Sequence, residues 1–147
     1  RALLAARERG VKVTILLQGR ADHPMLQMAT RALFGLLLGA GIDIYEYEKS
    51  MLHGKVAAID DRWATVGSSN LDPFSLFLNR EANVEVYDEG FARQVRESVE
   101  AEMATGALAC RVDHWKQRPL LQRAQSWLAY GFARWVAGII GFAKQWD

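Results

Sequence analysis

One cysteine, Cys110, excludes an internal disulfide framework and fits a reducing compartment. No motif near it would activate a thiolate, so it reads as a packing thiol. Three prolines and no low-complexity run leave no sign of a linker. A formal net charge of +1 gives no global field for nucleic acid, and no nucleic-acid partner is expected. The chain is also short of histidine: His23, His53 and His114 are all it has. What remains is ordinary for a globular protein. Half of the 147 residues are hydrophobic and 24% are charged, enough for one domain with a core.

The first residues, R-A-L-L-A-A-R-E-R-G, read as the last turns of a helix stopped by Gly10. The expectation is therefore a piece of a longer protein. Residues 11–17 (V-K-V-T-I-L-L) are short and β-branched, which predicts a buried strand. Gln18, Arg20 and His23 follow on a polar loop, where α/β folds often place function. Asp22 can cap a helix over 24–38, with Pro24 near its start and Gly39 and Gly41 beyond its end. Strands are expected at 42–47, 52–59, 63–66 and 82–87. Phe91, Val95, Val99 and Met103 recur at helical spacing, with Arg93–Glu97 and Arg96–Glu100 as i,i+4 pairs. The rhythm is α/β.

The informative stretch is 51–70, M-L-H-G-K-V-A-A-I-D-D-R-W-A-T-V-G-S-S-N. In an extended segment His53 and Lys55 point to one face. If Asp61-Arg62 is a two-residue hairpin loop, Asp60 opposes Trp63, Lys55 opposes Ser68 and His53 opposes Asn70. The four polar side chains would then share a face, Asp60 would turn away, and Gly67 would leave room for a ligand. An imidazole, an ammonium, a hydroxyl and an amide together suit a phosphodiester. Lys55 neutralises charge, Ser68 and Asn70 donate to phosphate oxygens, and His53 serves as nucleophile or general acid/base. The bland alternative is a strand pair with incidental polar residues.

The spacing His53-x-Lys55-x4-Asp60-x6-Gly67-Ser68-x-Asn70 resembles the complete motif of the phospholipase D superfamily. The text around it resembles the C-terminal half of bacterial cardiolipin synthases, most closely the B type, from about Gly10 to Met103. The resemblance implies a phospholipase D-like mixed β-sheet flanked by helices over residues 1–110. It implies His53 and Lys55 as the catalytic pair of this half, with Lys55, Ser68 and Asn70 on the substrate phosphate. Asp60 and Gly67 become structural members of the motif. Glu81, in N-R-E-A-N-V, is similar to the glutamate that orients the motif histidine.

The implied reaction is phosphatidyl transfer between phosphatidylglycerol molecules through a phosphohistidine, releasing glycerol, with no metal and no cofactor. A phospholipase D-type hydrolase, of lipid or nucleic acid, fits the motif equally. A non-catalytic membrane-binding module is the third reading. Family members use two such motifs. His114-Trp115-Lys116 does not supply the second: position 121 is leucine where the motif needs aspartate, and no G-S-x-N follows. The second half is expected upstream in the same chain or from another chain.

Residues 111–147 differ in character. Wound as a helix, Leu121, Leu128, Phe132, Trp135, Ile139, Phe142 and Trp146 fall on one face, with Gln122, Arg123, Ser126, Arg134, Lys144 and Gln145 opposite. A basic, tryptophan-rich amphipathic helix predicts a tail lying in an anionic membrane interface. A spanning helix over 124–143 and a helix packed on the missing half are the alternatives. With the resemblance, this implies a peripheral place on the cytoplasmic side of a bacterial cell membrane.

Overall fold

The computed structural model describes residues 1–20, 24–70 and 80–143. The Asp22 cap and His23 lie outside the described residues. So do Lys144, Gln145 and Trp146 of the tail. In chain order the elements are α1 (Ala2–Glu8), β1 (Thr14–Gln18), α2 (Pro24–Ala32), α3 (Phe34–Gly39), β2 (Asp43–Tyr47), β3 (Val56–Ile59), β4 (Trp63–Gly67), β5 (Asn83–Val86), α4 (Glu89–Gly106), β6 (Ala107–Ala109), α5 (Val112–Lys116) and α6 (Leu120–Ala143). The fold is α/β, with two small sheets flanked by helices and a long C-terminal helix.

The chain forms two compact units. The first holds Arg1–Met51 and Gly106–Arg134. Its sheet runs β1-β2-β6, with β1 parallel to β2 and β6 antiparallel to β2. A parallel pair needs a crossover, which α2 and α3 provide. The helix expected over 24–38 is interrupted at Leu33, whose N–H bonds three residues back to the Thr30 carbonyl. α3 then runs as a separate apolar turn of F-G-L-L-L-G. It buries Phe34 and Leu38, which join Ile42 and Ile44 as the core. Gly35 fits because a Cβ there would come within 3.0 Å of the Trp115 indole nitrogen. Trp115 packs its ring on Phe34 at 5.2 Å between centroids. Cys110 packs against this core, so the packing role expected of it holds. Burial first, and the nearby Glu46 second, push its thiol up to about 11.

The second unit holds Leu52–Thr105 and Trp135–Asp147. Its sheet is an antiparallel meander, β3-β4-β5. Valines 56, 66 and 84 form one row across it. Among its described residues the fully buried side chains are small, Ala64 and Ala92, both at 0% exposure. α4 is tied to the β3–β4 hairpin by polar contacts. Arg96 donates to both carboxylate oxygens of Asp61, at 2.6 and 3.2 Å, and to Glu100 at 2.8 Å. The Arg96–Glu100 pair is the one the i,i+4 spacing predicts. Glu97, however, is reached by Arg96 at 3.7 Å and not by Arg93.

Among the described side chains of α6 the buried ones are Ser126, Ala129, Ala133 and Ala137. The apolar face read from the sequence is the exposed one: Leu121, Leu128, Phe132, Trp135 and Ile139 are all at least half exposed. Ser126, assigned to the polar face, is buried along the same stripe as the three alanines. Among the described residues no helix is long and apolar enough to cross a membrane.

Candidate active site

The motif residues that are described lie in the second unit. Residues 51–55 are irregular and lead into β3, so the strand expected from residue 52 begins at Val56. His53 is exposed on this approach, and Lys55 is half-buried. The Lys55 ammonium donates to the His53 carbonyl at 3.0 Å. An ammonium has three N–H donors, so two remain for an anion.

The hairpin register differs from the expected one. Ile59 pairs with Trp63 and Val56 with Val66, and the Gly67 N–H donates to the Lys55 carbonyl at 3.0 Å. Lys55 therefore opposes Gly67, not Ser68. The loop has three residues, Asp60, Asp61 and Arg62, instead of two. Asp60 and Asp61 take φ of 52° and 49°, and Arg62 N–H closes the turn on the Ile59 carbonyl. Aspartate tolerates this left-handed backbone better than most residues, so Asp-Asp here does the work expected of Asn-Gly. A slip of one residue reverses strand parity. The strand argument for placing Ser68 and Asn70 on the His53/Lys55 face thus fails, and any convergence comes from the irregular chain after Gly67.

That chain is held closely. Ser68 donates its N–H to the Ala82 carbonyl at 3.0 Å, and its Oγ accepts the Ala82 N–H at 3.1 Å. The same hydroxyl donates to the Ala82 carbonyl at 3.4 Å, a long bond that its proton would exchange for one to a phosphate oxygen. Ser69 is bonded twice to the Asn83 carboxamide. The space at Gly67 is consequently not room for a ligand: a Cβ there would come 2.7 Å from the Asn83 Cα and 2.5 Å from the Ala82 carbonyl oxygen. Asn70 is exposed at the end of this described stretch.

Glu81 is half-buried just before β5. Among the described residues no hydrogen bond or ion pair joins it to His53. Asp60 sits exposed at the hairpin tip, while its neighbour Asp61 makes the anchoring contact. The hydrogen bond from Arg96 is the first cause holding the Asp61 carboxyl below its usual 3.8. A shallow groove of about 210 Å³ lies elsewhere on this unit, lined by Val56, Phe91, Gln94, Val95, Ser98 and Val99. It has no cationic lining residue and is no phosphate site.

Sequence reasoning missed Asn83 and the Asp61–Arg96 bond. Both link positions far apart in the chain. An asparagine at a strand start becomes informative only when the β4–β5 register places it opposite Gly67.

Comparison with known proteins agrees with the motif. Residues 1–103 match the family model described as cardiolipin synthase, phospholipase D-like domain. Cardiolipin synthase B of Escherichia coli K12 is 38% identical over 141 residues, covering 96% of this chain and 34% of the relative. The minor cardiolipin synthase ClsB of Bacillus subtilis is 39% identical over 127 residues, 86% of this chain and 32% of the relative. The chain thus spans about a third of the length of the curated relatives it matches. In fold it is similar to the crystal structure of Nuc, a phospholipase D family member from Salmonella typhimurium. There the TM-score is 0.66 at 23% identity, over 75% of this chain and 71% of that one. The chain belongs to the phospholipase D-like domain family of the cardiolipin synthases.

Proposed function

We propose that this chain supplies the C-terminal catalytic half of a cardiolipin synthase. The observation that carries the reading is the unbroken spacing from His53 to Asn70 inside a match covering 96% of the chain. The second half, with its own histidine and lysine, lies upstream in the same chain or in another chain. Its histidine attacks the phosphorus of one phosphatidylglycerol, and the bond from phosphorus to the glycerol oxygen breaks. His53, protonated, delivers its proton to that oxygen, and glycerol leaves. His53 then takes the proton of a hydroxyl on a second phosphatidylglycerol. That oxygen attacks the phosphohistidine and gives cardiolipin, so one phosphodiester replaces another and no cofactor is consumed.

Lys55 stabilises the charge on the phosphate oxygens, and Ser68 and Asn70 donate to them. Asp60 and Gly67 serve the backbone. Glu81 is the proposed acceptor for the far nitrogen of His53. The two side chains are not bonded in this chain, so that contact forms with the second half or substrate in place. Residues 1–110 form the catalytic domain in this reading, and 111–147 form a tail lying in an anionic membrane interface. Leu128 at 74% exposure, Leu121 at 70% and Trp135 at 64% support the tail assignment, because apolar side chains that large are costly to leave in water. The place proposed is peripheral, on the cytoplasmic face of a bacterial membrane.

The test supplies the two-motif enzyme with phosphatidylglycerol vesicles and follows lipids by mass spectrometry. Cardiolipin and glycerol are expected; phosphatidic acid as the sole product would make the enzyme a hydrolase. The 147-residue chain alone should be inactive as a monomer. Its tail should bind anionic vesicles at low salt, and equal binding to neutral ones would defeat the electrostatic part of the reading.

A further inference from the structure

We propose that Asn83 is a positioning residue of the phosphate site: through Ser69 it fixes the turn that carries Ser68 and Asn70. This rests on the reading that those two residues hold the substrate phosphate. The Asn83 Oδ1 accepts the Ser69 N–H at 3.2 Å, and the Asn83 Nδ2 donates to the Ser69 Oγ at 2.9 Å. The orientation of the carboxamide is set by chemistry, because a backbone N–H can only donate and must face the oxygen. β4 ends at Gly67, and the last backbone bond from it to the neighbouring segment is the one from the Ser68 N–H to the Ala82 carbonyl. At the next residue the Asn83 side chain takes over, bonding both the N–H and the hydroxyl of Ser69. The backbone bond from Ser68 to Ala82 and the bond from Ala82 N–H to the Ser68 hydroxyl complete the clamp from the same strand.

This arrangement also explains Gly67. Asn83 is its register partner, and the carboxamide oxygen occupies the volume that a Cβ at 67 would need. The glycine admits the asparagine, and the asparagine holds the serine that the motif leaves unspecified. A carboxamide supplies, without charge, an acceptor for the Ser69 N–H and a separate donor for its hydroxyl. Aspartate would add a negative charge beside a phosphate. Ser68 and Asn70 flank the clamped residue on either side. Releasing Ser69 therefore loosens both proposed phosphate contacts at once, and small misplacements of such groups lower rate steeply.

The test compares Asn83→Ala, Ser69→Ala and the double variant, in the two-motif enzyme and in the 147-residue chain. In the enzyme, Asn83→Ala should lower kcat/KM for transfer about tenfold or more, with the thermal midpoint unchanged because Asn83 is exposed. The double variant should be no worse than Asn83→Ala, since both changes break one clamp. In the chain, the Ser69 amide should exchange its hydrogen at least tenfold faster in Asn83→Ala than in the parent. Activity within twofold of the parent, losses that multiply in the double variant, or a midpoint that falls in step with activity would each overturn the proposal. If the parent enzyme makes no cardiolipin, the proposed function fails separately. Amide exchange at Ser69 still decides the clamp.

Discussion

The two compact units are built on different principles. The first is organised by apolar burial. Phe34, Ile42 and Ile44 are each 1% exposed, and they pack under a parallel strand pair. The second unit, which carries the described motif residues, has alanines at its most buried positions and leaves Val56, Ile59, Val66 and Val84 exposed. Its defined contacts are polar: Arg96 on Asp61, Asn83 on Ser69, Ala82 on Ser68. A core of large side chains tolerates little displacement, because close packing makes every lost methylene count. Hydrogen-bonded turns specify geometry with little area. The scaffold is stabilised by burial, and the candidate site is positioned by hydrogen bonds.

The contrast predicts that catalysis and stability can be damaged separately. His53→Ala should lower transfer by about 10²–10⁴-fold, the usual reach of a general acid/base. Because His53 is exposed, the variant should unfold at the same denaturant concentration as the parent. A large stability loss in that variant would break the comparison.

Phe34→Ala should do the reverse. Removing a fully buried ring in contact with Trp115 costs about 3–5 kcal/mol in chemical denaturation. Activity per folded molecule should persist under conditions where the variant remains folded.

The hairpin anchor gives a smaller, pH-dependent effect. A carboxyl whose folded pKa is lowered stabilises the fold above its unfolded value, and that contribution is lost as pH falls through the folded value. For Asp61 the loss begins near the ordinary 3.8 and continues below it. Asp61→Asn should therefore flatten the acid limb of the stability profile. In hydrogen exchange the β3–β4 hairpin should open more often, with the α3 core unaffected. A profile identical to the parent's would mean that Arg96 does not hold the hairpin in solution.

The smallest effect is at Cys110. With its thiol raised to about 11, alkylation near pH 8 should be slow and should accelerate on unfolding. Since the unfolded thiol ionises first, at about its ordinary 9.0, raising the pH from there towards 11 should favour the unfolded chain.

Much of this was legible beforehand where the signal is local. Strands 14–18, 43–47 and 63–67 lie within a few residues of the apolar runs that predict them. β6 and α5 were not legible. A-L-A is too short for a periodicity, and five-residue α5 is fixed by Trp115 packing on Phe34. The hairpin register was missed because the aspartate pair adopts a backbone that Asn-Gly turns usually mark. One extra loop residue then reversed which side chains share a face.

The sequence by itself determined the family and the identity of the chemical groups: the spacing from His53 to Asn70 is a one-dimensional property that survives without coordinates. It also determined the two faces of α6, because helical periodicity follows from 3.6 residues per turn. Only the tertiary structure decided which face is buried, and that Lys55 lies across from Gly67. It alone decided that Gly67 is small in order to admit Asn83. Those facts depend on register and packing between segments distant in the chain, which no local pattern encodes.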